Sequence, residues 1–190
     1  MENLSFLPKN GNYRNLIVFQ KAECIYDITF YFAKNYLDKS DRTVDQMIQA
    51  ARSGRQNIAE GASAGSTSAE TEIKLINVAR ASLQELLLDY EDYLRVRNLI
   101  QWSIDSEKSK QCRKVCASHN DSSFYREAIS IRSAETIANI AITLIHQTDV
   151  FLRKLIDSLQ AEFMKNGGIK EQMYQARLNY RNSHNTNLKR

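Results

Sequence analysis

The chain has 190 residues, 43% of them hydrophobic and 25% charged, which is the composition of a folded domain rather than a disordered or fibrous one. Its formal charge of +4 is uneven: residues 163–190 hold Lys165, Lys170, Arg177, Arg181, Lys189 and Arg190 against Glu171 alone, a net +5, so the rest carries −1. A single proline (Pro8) and six glycines cannot supply the turns of a many-stranded sheet, and three cysteines are too few for a disulfide framework. No apolar run approaches the roughly 18 residues that span a bilayer, and the N-terminus does not read as a signal peptide, so a reducing, cytoplasmic setting is expected.

Residues 1–13 read as an N-terminal tail. Four helical stretches follow. The first, about 16–37, carries Val18, Ala22, Ile25, Phe32 and Tyr36 on one stripe, with Phe19, Tyr26, Phe30, Ala33 and Leu37 beside it. Ser40 or Asp41 is placed to cap the second, about 42–62, where Val44, Met47, Ala51, Gly54, Ile58 and Gly61 recur at spacings of 3 or 4. Small residues on that stripe allow a neighbouring helix to approach closely. The run from Gly61 to Ser68 reads as a hairpin loop, with Thr67 or Ser68 capping the next helix.

The third stretch, about 69–97, has a coiled-coil-like seam of Ile73, Ile76, Arg80, Leu83, Leu87, Tyr90 and Leu94. Residues 98–130 read as an irregular connection with one or two short helices. The fourth helix, about 133–164, carries Ile137, Ala141, Leu144, Thr148, Phe151, Leu155, Leu159 and Phe163, with His146 as a core or seam residue. Gly167 and Gly168 then stop it, and residues 165–190 form a basic C-terminal extension. The expected class is all-α: an antiparallel up-and-down four-helix bundle, residues 14–164, with that extension attached.

Candidate functional residues fall into three sets. Lys165, Lys170, Arg177, Arg181, Lys189 and Arg190, with Tyr174 and Tyr180 among them, suit a phosphate backbone and exposed bases, although basic ends are also commonly solvated and bind nothing. Arg80 is mid-helix at a core position and must find a partner. Glu60 is too far along the hairpin, about 13 Å in axial offset, which leaves an acid on the first or fourth helix, or a second subunit. Asn57 and Glu60 share a helix face, as a solvent stripe or a junction contact. Cys112, Cys116 and His119 make a C-x3-C-x2-H run that lacks a fourth zinc ligand, so no metal or cofactor is expected. No nucleophile–base constellation points to an enzyme.

Three blocks carry a family resemblance: residues 16–22 (Leu-Ile-Val-Phe-Gln-Lys-Ala), 56–61 (Gln-Asn-Ile-Ala-Glu-Gly) and 77–86 (Asn-Val-Ala-Arg-Ala-Ser-Leu-Gln-Glu-Leu). They resemble the bacterial four-helix-bundle proteins of ribosomal RNA intervening sequences, a group similar to the accessory variability determinant of diversity-generating retroelements. Arg52, Arg55, Trp102 and the basic extension resemble its suffix-domain subgroup. Gly54-Arg55 stands where the family pattern has Ile-Pro, and Ala81 where it has Gly. The resemblance implies a homo-oligomer in a five-fold ring, binding to nucleic acid (RNA here) and contact with a reverse transcriptase. It also implies motif or junction roles for Asn57, Glu60, Gly61, Arg80, Ser82 and Glu85, with Arg52 and Arg55 as a second basic patch. The function expected is therefore a non-enzymatic, RNA-binding accessory protein, the alternative being a protein–protein scaffold.

Overall fold

The computed structural model describes residues 12–187, and side chains to residue 182; over that span it is helical, without a strand among the described residues. After a 3-10 turn at Tyr13–Asn15 come α1 (Ile17–Tyr36), α2 (Thr43–Ala64), α3 (Ala69–Val96), α4 (Glu107–Ser118), α5 (Ser122–Ile129), α6 (Ala134–Asn166) and α7 (Ile169–Asn187). The four long stretches read from periodicity are α1, α2, α3 and α6, with ends within about two residues of expectation.

Local chemistry sets these boundaries. Ser68, Ser106 and Ser133 each accept, through the side-chain hydroxyl, a backbone N–H of the first turn of α3, α4 and α6, and Asp121 does so for α5. The Asp41 carboxylate takes the Thr43 N–H at 2.8 Å before α2. α3 ends in a Schellman turn: Leu99 N–H donates to Leu94 O at 2.9 Å and Asn98 N–H to Arg95 O at 3.2 Å, with Asn98 at φ 54°. Asparagine tolerates that left-handed conformation, which is why no glycine marks the end of this helix in the sequence.

α1, α2, α3 and α6 pack as a closed cycle, α1 on α2, α2 on α3, α3 on α6 and α6 on α1. The α2 stripe is buried at every expected position, Val44, Met47, Ala51, Gly54, Ile58 and Gly61. A Cβ on Gly54 would lie 2.7 Å from Leu83 Cδ2, and one on Gly61 3.2 Å from Ile76 Cδ1. Gly61 is therefore a contact glycine inside α2. The hairpin bend starts only at Gly65, later than the 61–68 loop expected, because Gly61 still faces Ile76 and Leu75 of α3 from within the helix. Phe32, Tyr90 and Tyr93 fill one end of the core, with ring centroids 4.7–5.0 Å apart.

Residues 98–130 hold two short helices, α4 and α5, within the expected connection; α5 packs on α1 and α4 on α6, and Cys116, Tyr125 and Ile129 join the core. In α6 the buried stripe drifts, with Leu152 and Ile156 buried while Phe151, Leu155, Leu159 and Phe163 are half-buried. His146, expected in the core or seam, is exposed, since Ile145 and Leu144 already occupy the inward arc. The basic extension begins as helix α7, after a break at Gly167, whose φ of 68° ends α6.

Candidate functional site

α7 collects the tail's cations. At 100° per residue, Lys170, Tyr174, Arg177 and Arg181 fall within an arc of about 60°. All four are exposed, as is Lys165 just before the break. None of Lys165, Lys170, Arg177 and Arg181 is in an ion pair among the described residues; the acid on this helix, Glu171, lies away from the stripe and against the Gly167–Gly168 backbone. Ile169, Met173, Ala176 and Tyr180 make an apolar stripe next to the cationic one. Lys189 and Arg190 lie outside the described residues.

The second basic pair is not brought together in the same way. Arg52 is exposed on α2. Arg55 lies over the Tyr26 ring of α1, 4.3 Å from its centroid, and lines a crevice of about 330 Å3 with Arg14, Glu23, Gln56 and Glu60. Arg55 thus spends its charge partly on the α1–α2 contact.

Arg80 meets an acid on the fourth long helix. Its Nε donates to Asp149 Oδ1 at 2.6 Å, and Arg153 Nε approaches the other carboxylate oxygen at 3.0 Å. The Asp149 side chain is only 12% exposed, so this is a carboxylate clamped between two guanidinium groups at the α3–α6 contact. The seam arginine needs no second subunit. Asn57 donates to Ser53 O within α2, and Glu60 is exposed at the crevice on the α1 side, so Arg80, Asn57 and Glu60 form no common cluster. Ser82 is half-buried and Glu85 exposed on α3, where Glu85 and Asp92 add to burial in holding the Asp89 carboxyl above the usual range.

Of the C-x3-C-x2-H run, Cys112 and Cys116 come together, Sγ to Sγ 3.7 Å. His119 instead stacks on Phe124, centroids 3.9 Å apart, with Nδ1 3.0 Å from Val115 O. No group of three or more potential metal ligands occurs among the described residues.

The residue that sequence reasoning missed is Lys21. It is fully buried in α1, and its Nζ donates to Cys116 O at 2.6 Å and to Gln147 Oε1 at 3.2 Å. Burial holds its ammonium below the ordinary 10.5, opposed by the thiols of Cys116 and Cys24. One side chain thereby ties α1, α4 and α6 together. The signal was its spacing, three after Val18 and four before Ile25, which puts it on the buried stripe. Asn139 plays a similar part at the other end of α4: its Oδ1 takes the Trp102 N–H at 2.7 Å and its Nδ2 donates to Ile100 O at 2.8 Å.

No family model matches the chain, and neither a curated protein nor a solved structure does.

Proposed function

We propose that this protein is a non-enzymatic, homo-oligomeric, cytoplasmic accessory factor that binds RNA. In that reading α1, α2, α3 and α6 form an antiparallel up-and-down four-helix bundle, and α7 is its nucleic-acid arm. The observation that carries the reading is the exposed face of Lys170, Tyr174, Arg177 and Arg181, a line of positive charge about 16 Å long that also carries an aromatic ring. Such a face offers phosphate contacts and a stacking platform together, the pairing that single-strand binders use. Among the described residues, no helix is long and apolar enough to cross a membrane.

The five-fold ring and the reverse transcriptase partner rest on the family resemblance. The scaffold alternative draws on the apolar stripe of Ile169, Met173 and Ala176 beside the cations, which would seat a protein partner. Deleting residues 169–190 separates the two. Loss of RNA binding, with oligomer mass unchanged, supports the first reading. RNA binding that survives the deletion refutes it.

A further inference from the structure

The contact between α4, α5 and α6 holds chemistry that RNA binding leaves unused. Cys112 and Cys116 are four apart on α4, which puts both side chains on one face. Both line a cavity of about 290 Å3 with Trp102, Lys108, Gln111, Arg132 and Thr136, Cys116 at its floor with 1% exposure and Cys112 half-buried. That volume is at the lower end of those that take small ligands. Its polar lining is one-sided. Lys108 and Arg132 bring positive charge, and the buried indole Nε1 of Trp102 has no acceptor among the described residues. A ligand carrying carboxylates would answer both.

The two thiols are also unequal. The hydrogen bond from Cys116 holds the Cys112 thiol below its ordinary range, against partial burial; Thr143, Arg132 and Arg113 act in the same direction as that bond. The same bond, with burial, pushes Cys116 up. Cys24, fully buried, is pushed up to about 12 by burial and is a chemically inert neighbour. Thiol–disulfide exchange needs this asymmetry, with one reachable thiolate and a second sulfur behind it. Four residues on a helix separate Cα atoms by about 6.2 Å, inside the range of about 4.4–6.8 Å that a disulfide spans, but Cβ atoms by about 5–6 Å against the roughly 3.5–4.5 Å it needs, so closing the bond draws Cys116 inward by unwinding the last turn of α4.

We propose that Cys112 and Cys116 are a dithiol modification site for small anionic disulfides, Cys112 taking the first sulfur from the cavity and Cys116 resolving the adduct. The Cys112 thiolate attacks one sulfur of the incoming disulfide. A new S–S bond forms as the old one breaks, and the departing group leaves as a thiolate. Cys116 then gives its proton to solvent, attacks Cys112 Sγ and expels the second thiolate. The protein loses two protons and two electrons, the protons to solvent and the electrons to the incoming disulfide, which is reduced to two thiolates. The site is independent of the RNA reading.

The test uses the native full-length protein and the anionic aromatic disulfide dithiobis-nitrobenzoate, whose released thiolate is coloured. The wild type releases two equivalents per chain and keeps no adduct, and peptide mapping finds Cys112 joined to Cys116. Cys116→Ala releases one equivalent and retains a nitrobenzoate adduct on Cys112, while Cys112→Ser releases none. Lys108→Gln with Arg132→Gln slows the anionic probe about threefold per charge removed relative to a neutral pyridyl disulfide. Wild-type protein that releases nothing, or that stops at a stable adduct, overturns the proposal, as does release undiminished in Cys112→Ser. If Cys116→Ala fails to fold, the wild-type peptide map alone decides.

Discussion

Neutralising part of the α7 face gives the most quantitative test of RNA binding. Each phosphate contact releases a condensed counterion, so the logarithm of the affinity falls with the logarithm of salt at about −0.7 per contact for a single strand. Four exposed cations without carboxylate partners, Lys165, Lys170, Arg177 and Arg181, lie on or beside α7. They set a slope of about −2.8, which is an affinity loss of about fiftyfold between about 50 and 200 mM salt. Arg177→Gln with Arg181→Gln removes half of those contacts and brings the slope to about −1.4, a loss of about sevenfold over the same range. Tyr174→Ala acts differently. It removes a stacking ring worth about 1–3 kcal/mol and leaves the slope unchanged, shifting the whole line in parallel. The assay is fluorescence anisotropy of a labelled single-stranded RNA of about ten nucleotides, short enough to keep the count to one arm. A wild-type slope shallower than about −1, or a double variant whose slope equals that of the wild type, refutes the assignment of α7 as the phosphate-binding element.

Three further outcomes follow from packing and charge. Gly54→Ala puts a methyl 2.7–2.8 Å from Leu83 Cδ2 and Cγ, a side chain only 1% exposed and unable to swing away. Overpacking of about 1–3 kcal/mol outweighs a helix-propensity gain of about 1 kcal/mol, so urea unfolding should show a loss of about 1 kcal/mol. Arg80→Met alone costs under about 1 kcal/mol because Arg153 still holds Asp149, whereas adding Arg153→Met strands a mostly buried carboxylate and costs about 2–3 kcal/mol more; a double-mutant cycle that is additive contradicts the clamp. Lys21 has a folded-state pKa below its ordinary 10.5, so below that folded value both states hold the proton and the burial cost is fully present. As pH rises through the folded value towards 10.5 the native state releases its proton first, and stability rises. The difference between wild type and Lys21→Met in urea midpoint should therefore move in favour of the wild type as pH rises towards 10.5, and a difference that stays flat contradicts the depressed ammonium.

The parts of this fold that were legible in the sequence are those written in periodicity. α2 is the clearest case, because small and apolar residues recur there with no polar interruption and each one is buried. α4 and α5 were hard to place for a physical reason. They are short, α4 carrying Lys108, Lys110 and Lys114 and α5 opening on Ser122 and Ser123, and hold their places through a few contacts each, Cys116, Tyr125 and Ile129 into the core and Tyr125 OH to His119 O at 3.0 Å. At 12 and 8 residues they are too short for a periodic stripe to repeat, so tertiary packing is needed to fix them. For the candidate site, the cations of the extension were visible as composition, but their alignment on one face depended on whether residues 169–187 form a helix at all.

Lys21 and Arg80 show how a polar residue on an apolar stripe can resolve in two ways. Arg80 is long and planar, and sits where α3 faces α6, so it reaches a carboxylate while its side chain stays 38% exposed. Its charge is matched and partly solvated. Lys21 points where α1 is covered by both α4 and α6, and finds only neutral acceptors, a carbonyl and an amide oxygen, with the Phe151 ring 6.0 Å away. An uncompensated buried ammonium is costly, and a hydrophobic residue of similar length would pack there without that cost. What the ammonium does that methionine could not is hold the last turn of α4, through the Cys116 carbonyl, to the α1–α6 contact. That turn carries Cys116, one turn after Cys112, so Lys21 fixes the position of Cys116 beside Cys112. Hydrogen exchange offers a direct reading of this role: in Lys21→Met the amides at the C-terminal end of α4 should lose protection by more than those of α2, whose packing does not involve Lys21. Equal loss in both helices would mean that Lys21 supports the core in general and does not hold α4 in particular.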